Sequence, residues 1–168
     1  MARIEFRGLD GYELMISRLS KGADDVAGKA IYAGAAIVAD EIRKEIQGLP
    51  IVSGYGTESK PLPGGVTKCQ KQGLLDGLGI SPMQDKNGYF NVKIGFDGYN
   101  STRTDDYPNG QPNQLVARGV ASGTSWKQKR PFVRLATRRA KKPAEAKMAE
   151  VLDEEITKIM DGAGETTG

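Results

Sequence analysis

The chain has 168 residues, 38% hydrophobic and 27% charged, with a net charge of only +3, the profile of one globular domain long enough to bury a sizeable core. It contains no histidine and a single cysteine, Cys69, which excludes Ser-His-Asp and Cys-His relays, His-containing zinc sites and an internal disulfide. No run of eighteen apolar residues is present, which argues against a membrane span.

Other chemistry is narrowed by the same reading. The charged N-terminal stretch MARIEFRGLDGYEL lacks the apolar block of a signal peptide, and one cysteine fits a reducing compartment. Cys69 lies among Lys68, Gln70 and Lys71, with no histidine to activate it. Neither a GxxxxGK[ST] phosphate loop nor a GxGxxG helix start is found. Carboxylate catalysis stays formally open, since twenty-one acids offer many pairs, yet no context singles one out. The sequence implies no catalytic residues, no cofactor site and no metal site.

In chain order, Arg3-Ile4-Glu5-Phe6-Arg7 alternates as a half-buried strand does, and Gly8 and Gly11 then break it. Tyr12, Leu14, Met15 and Leu19 suggest a short helix or turn. From about Asp24 to Gln47 the pattern is helical: Asp24 and Asp25 suit an N-cap and first turn. Ile31, Val38, Ile42 and Ile46 mark a core stripe. Ala27, Ala30, Gly34 and Ala35 would admit a close neighbour, either within the core or on another subunit. Gly48 and Pro50 stop the helix.

Twenty-two glycines, many of them between Gly48 and Gly123, make the middle of the chain loop-rich. Residues 49–87 read as a long arm that orders against a partner or, alternatively, as a merely solvated loop, with Ser53–Gly56 and Lys60–Gly65 as turns and a short helix around Lys71–Leu78. Asn87-Gly88 is a hairpin pair. Tyr89–Phe96 is the best strand, with Phe90, Val92, Ile94 and Phe96 on one side and an antiparallel partner near Ile80–Gln84. Asp97–Asn113 reads as loop and Gln114–Ser122 as a short helix. A last helical region spans Pro131 to Met160, with Pro143 either kinking it or dividing it in two. Its second half is acidic, with a stripe of Met148, Val151, Leu152, Ile156 and Ile159. The whole of 1–168 reads as a single domain, ending in a flexible polar tail at 162–168.

Charge is most concentrated at 127–142, KQKRPFVRLATRRAKK, with eight Lys or Arg and no acid; without those charges the net +3 would be −5. Three readings fit: a solvated helix face, contact with an acidic protein surface, or contact with a nucleic-acid backbone. Only Trp126 and Phe132 are aromatic nearby, and Phe132 with Val133 suits a core plug at the helix start. The candidate contact residues are Trp126, Lys127, Lys129, Arg130, Arg134, Arg138 and Arg139, with Tyr55 and Tyr107 on loops.

The order of these segments resembles a known family. A small-residue helix (YAGAAIVADEIRKEI), a strand (YFNVKIGF), a helix ending in Gly123-Thr124 (LVARGVASGTS) and a Pro131-Phe132 helix start (RPFVRLATRRA) follow one another over residues 23–160. This is similar to the tail-completion, or head–tail joining (neck), proteins of long-tailed bacteriophages and prophages, with their "GT…(R)PF" signature. Two departures stand out: 49–87 is longer than in short members, and Val120-Ala121-Ser122 replaces an aromatic–acid–aromatic stretch. The resemblance implies an α+β fold, a small antiparallel sheet packed by a long helix from the N-terminal half and a long C-terminal helix, with extended loops. It also implies a non-enzymatic virion protein at the head–tail interface, assembled in the bacterial host cytoplasm. Its partners would be further copies in a cyclic ring, six-fold to match a tail tube, and the connector or adaptor, tail terminator or tail tube proteins, with genomic DNA passing through. The alternative is a small nucleic-acid-binding protein using 127–142.

Overall fold

The computed structural model describes residues 2–5, 22–54, 56–87 and 89–164. The helix or turn expected around Tyr12–Leu19 lies outside them, as do Phe6 and Arg7 of the expected first strand. The fold is α+β: two long helices and two short ones with a small antiparallel sheet and a two-stranded ribbon.

Helix α1, Ala23–Gln47, carries Asp24 and Asp25 in its first turn, where the helix dipole favours acids; the N-cap is Gly22, without a side-chain cap. Ile31, Val38, Ile42 and Ile46 are buried, as their spacing predicts. The Gly48 amide donates to the Lys44 carbonyl at 3.0 Å and closes the helix. The last helix, numbered α4 here, runs unbroken over Phe132–Gly164 with Pro143 inside it. Pro143 is exposed, so water can serve the Arg139 carbonyl that its missing N–H leaves free. The helix also takes up residues 162–164 of the expected tail, while 165–168 lie outside the described residues.

α4 buries a ridge at strict four-residue spacing: Phe132, Ala136, Ala140, Ala144, Met148 and Leu152. The close neighbour that α1's small residues call for is α4 of the same chain. A Cβ built on Gly34 would overlap the Met148 sulfur and lie 2.5 Å from its Cγ. The helices run antiparallel: Gly22 lies by Ile159, Lys29 by Glu155, Gly34 by Met148 and Glu45 by Arg139. Each end is thus tied by an ion pair of opposite polarity.

The sheet is centred on β4, Tyr89–Phe96. β1, Ala2–Glu5, pairs antiparallel along one edge, from Ala2↔Ile94 to Glu5↔Asn91. The other edge carries β2, Leu78–Ile80, and β3, Gln84–Lys86, so the partner expected at Ile80–Gln84 is instead split around Ser81-Pro82. Proline cannot donate to a ladder. Ser81 bridges the gap: its amide donates to the Lys93 carbonyl at 2.8 Å and its hydroxyl accepts from the Lys93 amide at 2.9 Å. Asn87 takes the left-handed conformation (φ 57°) that the turn into β4 requires. Val92 and Ile94 are buried, and β4 packs on α1.

One loop expectation is corrected, and in 49–87 the expected short helix is present and the arm around it narrows. Residues 97–113 contain an antiparallel ribbon, β5 (Tyr99–Asn100) with β6 (Gln111–Pro112), held by two buried asparagines. Asn100 Nδ2 donates to the Gln111 carbonyl at 2.9 Å, and Asn113 Nδ2 to the Asp97 carbonyl at 2.8 Å. Within 49–87, α2 covers Lys68–Gly77 and is closed by a Thr67/Gln70 capping box. It lies directly on the asparagines: a Cβ on Gly73 would come within 2.5 Å of Asn100 Cβ and Asn113 Oδ1. The arm proper therefore narrows to 50–66. Helix α3, Asn113–Ser122, follows the ribbon.

Candidate functional site

The arm is folded against the segment that opens the basic run. The Leu62 amide donates to the Trp126 carbonyl at 2.9 Å, and the Gln128 amide returns a bond to Leu62 at 2.8 Å. At its base, Val66 and Pro50–Val52 exchange two further backbone bonds, 2.9 Å and 3.0 Å. Glycine permits this approach: a Cβ on Gly64 would sit 2.6 Å from the Gln128 carbonyl and 2.8 Å from Arg130 Cβ. Thr124 and Lys127 bond each other's backbone both ways, at 2.9 Å and 3.3 Å, so Trp126 stands at the tip of a fixed turn, 52% exposed.

The Gly123-Thr124 and Pro131-Phe132 pairs frame that turn. Gly123 has φ 76°, a conformation that favours glycine, and a Cβ there would meet the Lys129 backbone at 3.0 Å. Phe132 is fully buried, its ring 6.1 Å from that of Phe96, and so acts as the expected plug. The signature residues set the geometry of the basic turn rather than presenting contacts themselves.

The expected contact residues have different surroundings. Lys129, Arg130, Arg134 and Arg138 are exposed. Lys127 is half-buried, and that burial pushes its pKa below the ordinary lysine value. Of the run's cations only Arg139 forms an ion pair among the described residues, with Glu45 of α1. Arg134, Arg138, Lys141 and Lys142 have no carboxylate oxygen within 4 Å among those residues. Tyr107 closes a four-residue turn with Thr104 and is half-buried. Tyr55 lies outside the described residues.

Sequence reasoning missed the residues that Trp126 and Lys127 face. Leu62, Leu115, Gly119, Gln70 and Gln111 line a cavity with them. Leu115 was the available signal: it belongs to the same apolar pattern as Val116 and Val120, which are buried, yet it is 39% exposed. Gln70 Nε2 donates to Gln111 Oε1 at 2.7 Å, joining α2 to the ribbon. Among the described residues no cluster of three His, Cys, Asp or Glu could hold a metal, and no helix is long and apolar enough to cross a membrane. No protein-family model, curated protein or solved structure matches the chain.

Proposed function

We propose that this chain is a non-enzymatic structural subunit of a tailed bacteriophage or prophage particle, a tail-completion or head–tail joining protein that assembles as a ring between connector and tail tube. The observation that carries the reading is the set of exposed cations on the first half of α4, Arg134, Arg138, Lys141 and Lys142, with no carboxylate partner among the described residues. Like charges at four-residue spacing repel, so a surface of this kind is satisfied by an anionic partner. The second half of the same helix exposes Glu145, Asp153 and Glu154. A helix basic at one end and acidic at the other can meet a second copy head to tail, and such a heterologous contact closes into a ring when its rotation allows. The segment order and the Gly123-Thr124 and Pro131-Phe132 signature supply the resemblance to neck proteins.

The test is native mass measurement of the protein alone and mixed with the products of its genomic neighbours. Arg134→Glu with Arg138→Glu is expected to abolish ring formation or tail attachment while the circular dichroism spectrum is unchanged. Adding Arg139→Glu should deepen the loss and also destabilise the monomer, because it sets a second carboxylate against Glu45. Unchanged assembly in the double variant would overturn the proposal. Nucleic-acid binding through the same cations would appear instead as a gel shift that weakens steeply with salt and tolerates any sequence.

A further inference from the structure

The cavity beside Trp126 has a volume of about 420 Å³ and opens between the 50–66 arm, the start of α2 and one side of α3, a size suited to one or two side chains. Its walls combine apolar residues, among them Leu62, Leu115 and Trp126, with neutral polar ones, Gln111 and several threonines. Among the described residues Lys127 is the only charged one lining it, and it forms no ion pair with them. Exposed cations flank the lining: Lys68 follows Thr67, Arg103 lies between Thr102 and Thr104, and Arg118 precedes Gly119, against one acid, Asp105. None of these three cations is paired among the described residues. The segments that line the cavity thus bring three cations against one acid as chain neighbours of its walls.

The walls are also fixed in advance. Leu62, Trp126 and Lys127 are held by backbone bonds of 2.8–3.3 Å across the arm and the turn. Gly56 has no room for a side chain, since a Cβ there would lie 2.6 Å from the Leu62 amide and overlap the Trp126 carbonyl. A preorganised pocket loses little ordering entropy when it is filled. The half-buried ammonium of Lys127 has lost water without gaining a counter-ion, and an incoming carboxylate would supply one.

We infer that this cavity receives an acidic, apolar peptide segment of a partner protein, an aliphatic or aromatic side chain seated between Trp126 and Leu115 with a neighbouring carboxylate on Lys127 Nζ. The inference deepens the assembly reading by giving the chemistry of one partner, and it rests on that reading only in expecting the partner to be a protein. Among the described lining residues Trp126 is the one aromatic, and with aliphatic walls it suits such an anchor better than a nucleic-acid strand, which would need a row of stacking groups.

The chain carries its own reporter, because Trp126 is its only tryptophan. The full chain would be probed on an array of random hexapeptides, and enriched peptides titrated in solution by tryptophan emission. The expected result is enrichment of sequences with an aliphatic or aromatic residue beside Asp or Glu, and a blue shift on binding. Two variants locate the site. A Cβ on Gly119 meets nothing within 4 Å, so Gly119→Met fills the cavity without a clash at its root; Lys127→Glu reverses the lysine's charge. Each should weaken binding at least tenfold, while Arg134→Glu with Arg138→Glu leaves it unchanged. Failure of the ring proposal and failure of this one are thus read on different variants. Three results would overturn the inference: no peptide enriched above the Gly119→Met background, enrichment indifferent to charge or favouring basic peptides, or quenching of Trp126 by oligothymidylate that Gly119→Met abolishes.

Discussion

The two halves of α4 share one helix and one buried ridge but handle charge in opposite ways. Beyond Pro143 the acidic half contains its own cations: Lys147 pairs with Glu150 at 3.2 Å and Lys158 with Glu155 at 2.8 Å. Glu155 also reaches Lys29 of α1 at 2.8 Å. Before Pro143 no acid is present from 127 onward, and the single ion pair among the described residues is Arg139 to Glu45. Both halves are anchored to α1, yet only the acidic one offsets part of its charge locally. The basic half therefore carries like-charge repulsion that the monomer relieves, among the described residues, only at Arg139.

The strongest way to break this comparison is to remove what the basic half folds around. Phe132 is fully buried against Phe96 at the first turn of α4. Phe132→Ala is expected to cost about 3–5 kcal/mol, the usual range for a buried aromatic truncated in a packed core. Urea denaturation followed by far-ultraviolet dichroism would measure it. The turn bearing Trp126 and Lys127 should loosen with it, visible as a change in tryptophan emission before global unfolding. A cost below about 1 kcal/mol would mean that the plug is not what fixes the basic turn.

A smaller effect is expected where the halves meet. Gly34 of α1 lies under Met148 and 3.4 Å from the Ala144 carbonyl at the position a Cβ would take. Met148 is itself buried, so it has little room to yield. Gly34→Ala should destabilise by about 1–3 kcal/mol through overpacking, despite the better helix propensity of alanine. Gly119→Ala is its control: with open space around the new Cβ, propensity alone should raise the denaturation midpoint. Equal effects from the two substitutions would show that the close approach of α1 and α4 is not a constraint.

These contrasts also show what the sequence could reveal. Elements governed by local pattern were legible: α1 was expected from Asp24 and begins at Ala23, and β4 spans the predicted Tyr89–Phe96. The ridge through Phe132, Ala136, Ala140, Ala144, Met148 and Leu152 was only half seen. Three of its members are alanines, weak hydrophobic signals, and the cations between them dominate the reading. The acidic-half stripe included Ile156 and Ile159, which are only partly buried. Least legible was the pairing of Leu62 with Trp126 and Gln128. Its bonds are backbone to backbone across some sixty residues, and neither partner segment has a period of its own. The cavity depends on that pairing, so only two of its lining residues, Trp126 and Lys127, were candidates from sequence.

The finest test of the charge comparison is its response to pH and salt. Lys158 and then Lys29 hold the Glu155 carboxyl down to about 2, from an ordinary value of 4.5. A carboxyl that ionises more readily in the folded state stabilises it above the unfolded value, and loses that contribution as pH falls toward the folded one. Glu155→Gln should therefore lower the melting temperature above about pH 5, with the gap closing between pH 4.5 and 2 and shrinking in high salt. Lys29, its pKa raised by Glu155 and then Asp25, contributes below its ordinary value and loses that contribution at still higher pH. Arg134→Gln with Arg138→Gln should act with the opposite sign. These arginines have no partner to lose among the described residues and a like charge to escape, so the melting temperature should rise slightly at low salt and show no step between pH 2 and 5. If both substitutions lowered stability alike, the basic half would be bound into the monomer as firmly as the acidic half, and its cations would no longer be free for a partner.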